Sequence, residues 1–135
     1  MPDFERRCVV VTGATGNLGH AVVRAYLEAG AHVAVPVRDT AKGNELRDSI
    51  GTLAGAAALL VAEADLSDRA SMDAFVEGVL RTWGRLDALA NLAGGFDTGL
   101  ADDVGKIRRL WEQNVATVIV PAAACLVPMR ARGYG

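Results

Sequence analysis

Thr12-Gly13-Ala14-Thr15-Gly16-Asn17-Leu18-Gly19 is the stretch on which the reading of the fold turns. Before it stands Cys8-Val9-Val10-Val11, a short, continuously apolar run of the kind expected in a strand buried on both faces. After it, Leu18, Val22, Tyr26 and Ala29 recur at helical spacing, and Gly30 supplies a stop. Between a strand and a helix the three glycines have different tasks. Gly13 permits the tight turn off the strand, Gly16 lets backbone N–H groups approach a pyrophosphate, and Gly19 lets the helix pack closely on the sheet. The helix N-terminus adds unpaired donors and a partial positive charge. Glycines at this spacing are weak evidence in isolation, but in a strand–turn–helix context they predict a dinucleotide site.

The same alternation continues along the chain. His32 to Val37 reads as a second strand, followed by a polar helix around Ala41 to Ile50. Leu59 to Ala64 is a third strand, and Met72, Phe75, Val76, Val79, Leu80 and Trp83 form the cleanest helical stripe, stopped by Gly84. Leu86 to Leu92 makes a fourth strand. A looser segment carries Val104, Ile107 and Trp111, and a long helix is expected from about Asn114 to Met129. Short connections between alternating elements imply right-handed crossovers and a parallel sheet. The expected architecture is α/β, a Rossmann-type doubly wound sheet of order 3-2-1-4, in one domain over residues 1–135. The fourth strand and last helix leave an open edge, so the domain is expected to be truncated at that point.

Composition narrows the function classes. The chain has 135 residues, 51% of them hydrophobic and 5% aromatic, which suits helices packed on a buried sheet and excludes disorder. A net charge of −2 with scattered Arg and Lys leaves no nucleic-acid footprint. The opening MPDFERRCVVVTG is neither a signal peptide nor a membrane span, and Val115 to Met129 is too short to span and carries Pro121 and Pro128. Cys8 and Cys125 lie far apart without His partners at metal spacing. They read as small buried hydrophobes in a reducing compartment, with no metal site. A soluble, cytoplasmic protein without membrane or nucleic-acid partners is expected.

The end of the second strand bears on the choice of dinucleotide. An acidic residue there would bond the adenosine ribose, but the sequence reads Val35-Pro36-Val37-Arg38-Asp39. Val37 cannot make that bond, and the guanidinium of Arg38 suits a 2′-phosphate by bidentate, charge-assisted hydrogen bonding. NADP is therefore favoured over NAD. Asp39 has two readings, a ribose ligand one position late or an N-cap for the next helix. Pro36 inside a strand is unusual.

Together these residues resemble the N-terminal half of a short-chain dehydrogenase/reductase. Residues 12–19 are similar to the family's cofactor loop, and Asp65-Leu66 resembles its acid-plus-aliphatic pair at the adenine ring. Asn91-Leu92-Ala93-Gly94 resembles the family's Asn-Asn-Ala-Gly signature, which supports the sheet and lines the nicotinamide side, with Leu92 in place of the second asparagine. Asn114 matches the asparagine of the catalytic tetrad. The glycine spacing resembles the extended subfamily, whereas the Asn91 and Asn114 motifs resemble the classical one, and the latter are more discriminating. The resemblance implies cofactor contacts from Gly13, Thr15, Gly16, Asn17, Leu18, Gly19, Arg38, Asp65, Leu66, Asn91, Ala93 and Gly94, with Asn114 catalytic.

It also implies hydride transfer between NADP(H) and a carbonyl or alcohol, using a Tyr as acid/base, a Lys that lowers its pKa and a Ser that orients the substrate. A phenol with an unperturbed pKa near 10 needs such help at neutral pH. The last Ser is Ser71 and the last Lys is Lys106, while the late Tyr134 has no Lys four residues on. The chain is thus expected to bind cofactor without catalysing the reaction. The alternative is a non-catalytic dinucleotide-binding or regulatory module. Trp111 and the helix before it resemble the region through which family members dimerise, which implies a homo-oligomer for the intact protein. The sequence names no particular substrate.

Overall fold

The protein is described here from a computed structural model, which describes residues 4–51, 58–99 and 102–135. Strand β1 (Cys8–Thr12) leads into α1 (Asn17–Glu28), β2 (His32–Val37) into α2 (Thr40–Ile50), and β3 (Leu59–Glu63) into α3 (Arg69–Trp83). Then follow β4 (Ala88–Asn91), α4 (Val104–Trp111), a π-helical turn (Glu112–Ala116) and α5 (Thr117–Arg132). The strands are parallel and ordered β3-β2-β1-β4, as the alternation predicts.

Strand alternation in β1 builds two cores at once. Cys8 and Val10 point to the side covered by α3 and α5, with Met72, Phe75, Val79, Ala124 and Met129. Val9 and Val11 point to the side covered by α1 and α2, with Val23, Leu27, Leu46 and Ile50. Val9, Val10 and Val11 are fully buried, and each such side chain stabilises the fold by roughly 1.5–3 kcal/mol.

The expected elements are present, with local differences. The face of α1 that meets the sheet is Gly19, Val23 and Leu27, one position later than the Leu18, Val22, Tyr26 stripe. Val22 and Tyr26 pack at its border, and Leu18 is 65% exposed. The small residue, Gly19, takes the closest contact, and that rotates the helix. β4 is shorter than its apolar run. Asp39 is the N-cap of α2, its Oδ1 accepting from the N–H groups of Ala41 (2.9 Å) and Lys42 (3.4 Å). Pro36 fits because the β1–β2 pairing ends at Ala34. The Val37 carbonyl accepts from Ala64 on the β3 side, so alternation turns the Pro36 nitrogen toward β1, beyond that ladder's end.

Asn114 does not open a helix. It sits in the π turn that joins α4 to α5, so that helical structure runs unbroken from Val104 to Arg132, with Pro121 and Pro128 inside it. That stretch of 29 residues is, by length and composition alone, long and apolar enough to cross a membrane, a property the shorter Val115–Met129 reading missed. Core helices of water-soluble proteins share it, and here Pro121, Ala124, Cys125 and Met129 are buried.

At the far end of the sheet from the glycine loop, Asp87 ties β1, β4 and α5 together. Its carboxylate accepts from the Cys8 N–H at 2.8 Å and from Arg85 Nε and Nη2 at 2.6 and 2.7 Å. Arg132 and Arg7 approach it at 3.5 and 3.7 Å. Burial alone pushes this carboxyl upward, but the Arg85 hydrogen bonds, the Cys8 N–H and the charges of Arg85 and Arg132 outweigh it. Asp87 is held below the usual carboxylate range. Burial pushes both thiols up to about 12, with the Asp87 charge adding to the effect at Cys8. Both cysteines are therefore inert neutral hydrophobes, as their isolation in sequence suggests.

Replacing Asp87 by Asn should destabilise the fold by about 2 kcal/mol at pH 7, since it removes the buried carboxylate charge that accepts from the Cys8 N–H and from the partly exposed guanidinium of Arg85. A depressed carboxyl contributes stability above its unfolded value of about 3.9, and that contribution fades as pH falls through the lower folded value. Urea unfolding of both proteins should show a gap that is full at pH 7 and narrows below about pH 4. A gap constant from pH 7 to pH 3 would contradict this assignment.

Candidate cofactor site

The C-terminal ends of the parallel strands open onto a cleft of about 590 Å³. The ends of all four strands contribute to it. Gly13, Ala14 and Thr15 come from the loop after β1, and Pro36 to Asp39 with Lys42 come from the end of β2 and the start of α2. Asp65 and Leu66 follow β3, while Ala93, Gly94 and Gly95 follow β4, with Gln113 and Thr117 beyond them. Open α/β sheets bind ligands at such a place, where the connections diverge to opposite faces.

The glycines separate into two kinds. Gly13 has φ +67°, and a Cβ built there would lie 2.6 Å from the Ala93 backbone nitrogen. A Cβ at Gly19 would run into the Gly13 carbonyl oxygen. Both are demanded by the protein's own packing. Gly16 is not. Its φ of −84° and ψ of 165° suit any residue, and a Cβ there would meet only the Gly13 oxygen at 3.5 Å. Space beside Gly16 stays open toward solvent.

Helix termini tell a parallel story. Asp39, Asp68 and Asp103 cap α2, α3 and α4 through their side chains, whereas Gly16 offers α1 none. The first N–H groups of α1 are left as donors at the mouth of the cleft, an arrangement that suits an anion. Packing and capping thus both fit a bound phosphate group at the loop.

Thr12 is fully buried, and its Oγ1 accepts from the N–H groups of Leu92 (3.1 Å) and Ala93 (3.2 Å), locking the loop after β4 to the end of β1. Asn114 locks the same loop from the other side. Its Oδ1 accepts from the Gly95 N–H at 3.1 Å, and its Nδ2 donates to the carbonyls of Gly95 and Leu110, both at 2.9 Å. The π turn makes this possible. Widened bonding deprives carbonyls of their regular partners, and the Asn114 amide meets Leu110 while the Thr117 hydroxyl meets Gln113 at 2.7 Å. Gln113 also presses its side chain on Gly95. Lys106 donates to the Thr98 carbonyl at 2.6 Å and pairs with Asp97 at 3.7 Å, leaving Phe96 on this held loop 88% exposed.

On the opposite wall, Asp65 Oδ1 accepts from the Ser67 hydroxyl (2.6 Å) and N–H (2.8 Å). The hydroxyl bond, then the N–H bond, hold its carboxyl below the usual range against the effect of burial, and Arg38 adds to the lowering.

Of the residues singled out in the sequence, Gly13, Thr15, Arg38, Asp65, Leu66, Ala93 and Gly94 line the cleft. Gly16, Asn17, Leu18 and Gly19 form the start of α1 beside it without lining it. Asn91 lies in β4, with its Oδ1 buried and without a hydrogen-bond partner among the described residues. Asn114 braces the wall from behind. Lining residues not singled out include Lys42, Gly95, Gln113 and Thr117. Gln113 and Thr117 stand at i and i+4 on one helix beside Asn114, a spacing that could have revealed them.

The model of the short chain dehydrogenase family matches residues 7–135. The chain belongs to that family. Short-chain dehydrogenases are NAD(P)-dependent oxidoreductases that bind a dinucleotide and a small-molecule substrate, so the cofactor class expected from the glycine loop and the strand order agree with it. Sorbitol dehydrogenase of Cereibacter sphaeroides is 30% identical over 134 residues, which cover 98% of this chain and 50% of that one. An NADP-dependent 3-hydroxy acid dehydrogenase of Escherichia coli is 30% identical over 130 residues, covering 94% and 50%. The fold also matches a crystal structure named short-chain dehydrogenase/reductase, glucose/ribitol dehydrogenase, from Brucella melitensis, with a TM-score of 0.84 and 22% identity over 93% of this chain and 53% of that one. The chain spans about half the length of these curated relatives.

The two kinds of glycine make opposite demands on a substitution. Gly19→Ala should destabilise the protein by about 3 kcal/mol through overpacking on Gly13. Gly16→Ala should cost less than about 1 kcal/mol, as a cap position open to solvent. Chemical denaturation measures both, and equal costs would refute the division.

Proposed function

We propose that the chain holds NADP(H) for an oxidoreductase that moves hydride between the nicotinamide and a carbonyl or alcohol. The observation that carries the reading is Arg38, exposed at the cleft where Val37 replaces an acidic ribose ligand and Asp39 is committed to capping α2. The Asp39 cap supports the helix-cap reading of that residue over a ribose ligand one position late. In this reading Gly13 to Gly19 and the uncapped α1 terminus hold the pyrophosphate, Asp65 and Leu66 border the adenine, and Arg38 takes the 2′-phosphate. Ala93 and Gly94, with Asn91 behind them, border the nicotinamide. When bound, the nicotinamide would supply or accept the hydride. Asn114 acts by fixing Gly95, and so the wall beside the reacting ring.

The 135 residues by themselves are proposed to bind cofactor without turnover. Ser71 donates to nothing at the nicotinamide wall but is the acceptor for the Asp65 N–H, and Lys106 serves Thr98 and Asp97. Tyr134 lies with its ring 4.6 Å from the Arg7 guanidinium, at the other end of the sheet. None is placed as an acid or base at the cleft. Substrate chemistry and transfer belong to the whole protein in this proposal.

Nicotinamide fluorescence titration should give tighter binding of NADPH than of NADH. Arg38→Ala should weaken NADPH by about 2 kcal/mol, or roughly 30-fold, while changing NADH less than about twofold. Equal affinity for the two cofactors, unaltered by Arg38→Ala, would sink the NADP assignment.

Self-association is proposed through the α4–α5 face, where Val104, Ile107, Trp111, Ile119 and Val127 are 50–68% exposed. Single exposed apolar residues are ordinary, but five along one continuous helical stretch form a patch that water does not favour. Sedimentation should show dimers whose dissociation constant rises at least tenfold in Trp111→Glu; a monomer, or a dimer indifferent to that change, would contradict it.

A further inference from the structure

We infer that the π turn at Glu112–Ala116 couples self-association to dinucleotide binding, so that each strengthens the other. The inference rests on the cofactor and self-association readings above and concerns how the two faces of one helical stretch act on each other.

The outer face of the α4–α5 stretch has an irregular period. Val104, Trp111, Ile119 and Leu126 are all exposed and stand seven, eight and seven residues apart. In an α-helix of about 3.6 residues per turn, seven residues fall about 20° short of two full turns, so such positions line up. Eight residues overshoot by about 80°, which would carry Ile119 and Leu126 off the line set by Val104 and Trp111. The π turn lies inside that longer interval. Its wider bonding takes up one extra residue without further rotation, and the four side chains return to one stripe. Ile107 and Val127, also exposed, border it.

The inner face depends on the same turn. Asn114 stands in it, and its amide meets the Leu110 carbonyl as well as the N–H and carbonyl of Gly95. The Thr117 hydroxyl meets the carbonyl of Gln113, and both of these residues line the cleft. Bonding of this kind is rare in helices, and here side chains supply the hydrogen bonds that its carbonyls lack. Were the turn to close to regular α bonding, Asn114 would rotate off Gly95 and the outer stripe would break at Ile119. Both faces would change at once. A second copy packed along the stripe and a dinucleotide against the Gly94–Gly95 wall therefore favour the same state of one element, which is the physical condition for coupling. Such coupling between two binding events is reciprocal.

The test measures both directions of the coupling on the 135-residue chain. Sedimentation gives the dimer dissociation constant with and without saturating NADPH. Nicotinamide fluorescence gives NADPH affinity at chain concentrations well below and well above that constant. NADPH should bind the dimer about fivefold more tightly than the monomer, and should lower the dimer dissociation constant about 25-fold, the same factor once for each of two sites. Asn114→Ala, or Asn114→Ser if circular dichroism shows the alanine variant unfolded, should reduce both effects below about twofold while the free chain still dimerises. Equal NADPH affinity for monomer and dimer, or a coupling that the Asn114 variant leaves intact, overturns the inference while the cofactor and self-association readings stand. A chain that stays monomeric with and without NADPH overturns the self-association reading and this inference together. A chain that binds no NADPH at either concentration does the same to the cofactor reading.

Discussion

Helix α1 can lie on the sheet at all only because Gly19 has no side chain. Any Cβ there would strike the carbonyl oxygen of Gly13. From that contact the rest of the cleft follows. The helix starts close above the end of β1, so its uncapped N–H groups are brought to the cleft mouth. Gly13, in the left-handed region, lets the loop pass against Ala93, and the buried Thr12 hydroxyl then holds Leu92 and Ala93 by their N–H groups. One close approach thus fixes both the uncapped helix end and the opposite wall. Dinucleotide folds use the same geometry, because a pyrophosphate must meet backbone donors without an intervening side chain.

The second constraint comes from the π turn between α4 and α5. Asn114 occupies the π turn and spends its whole amide on backbone groups, two of them on Gly95. Gly94 and Gly95 permit the close approach, since a Cβ on either would meet the Asn114 or Gln113 side chain. The wall formed by Leu92 to Gly95 is therefore clamped by β1 from within and by the α4–α5 stretch from behind. A wall so held needs little reorganisation when a ligand arrives, which is the condition for precise orientation.

Local signals carried most of the architecture in readable form. Continuous β-branched runs marked strands buried on both faces, the stripe from Met72 to Trp83 marked α3, and glycines marked stops at Gly30 and Gly84, both at positive φ. Where reading from sequence fell short, a tertiary contact had decided the matter. The α1 face is turned by one residue because Gly19, read as a close-packing glycine but not as part of the apolar stripe, lies at the centre of the contact. Asn114 looked like a helix start because a π turn has no sequence period of its own. Pro36 was puzzling until the ladder on its nitrogen side proved to end at Ala34. Lys42 and Gln113 reach the cleft through the seating of helices, which Gly43 and Gly95 permit, and no propensity in one stretch of sequence expresses that.

In the proposed reading, a dinucleotide binds in the cleft at the strand ends, organised around Gly13 to Gly19. The most direct test is to follow the backbone amides of the isotope-labelled chain by two-dimensional NMR while NADPH is added. The account predicts shifts concentrated at Gly13 to Gly19, Arg38 to Lys42, Asp65-Leu66 and Ala93 to Gly95, with Asp87 and its neighbours at the far end of the sheet unmoved. Saturating NADPH that shifts no amide in the loop, or shifts concentrated at the Asp87 end, would contradict it.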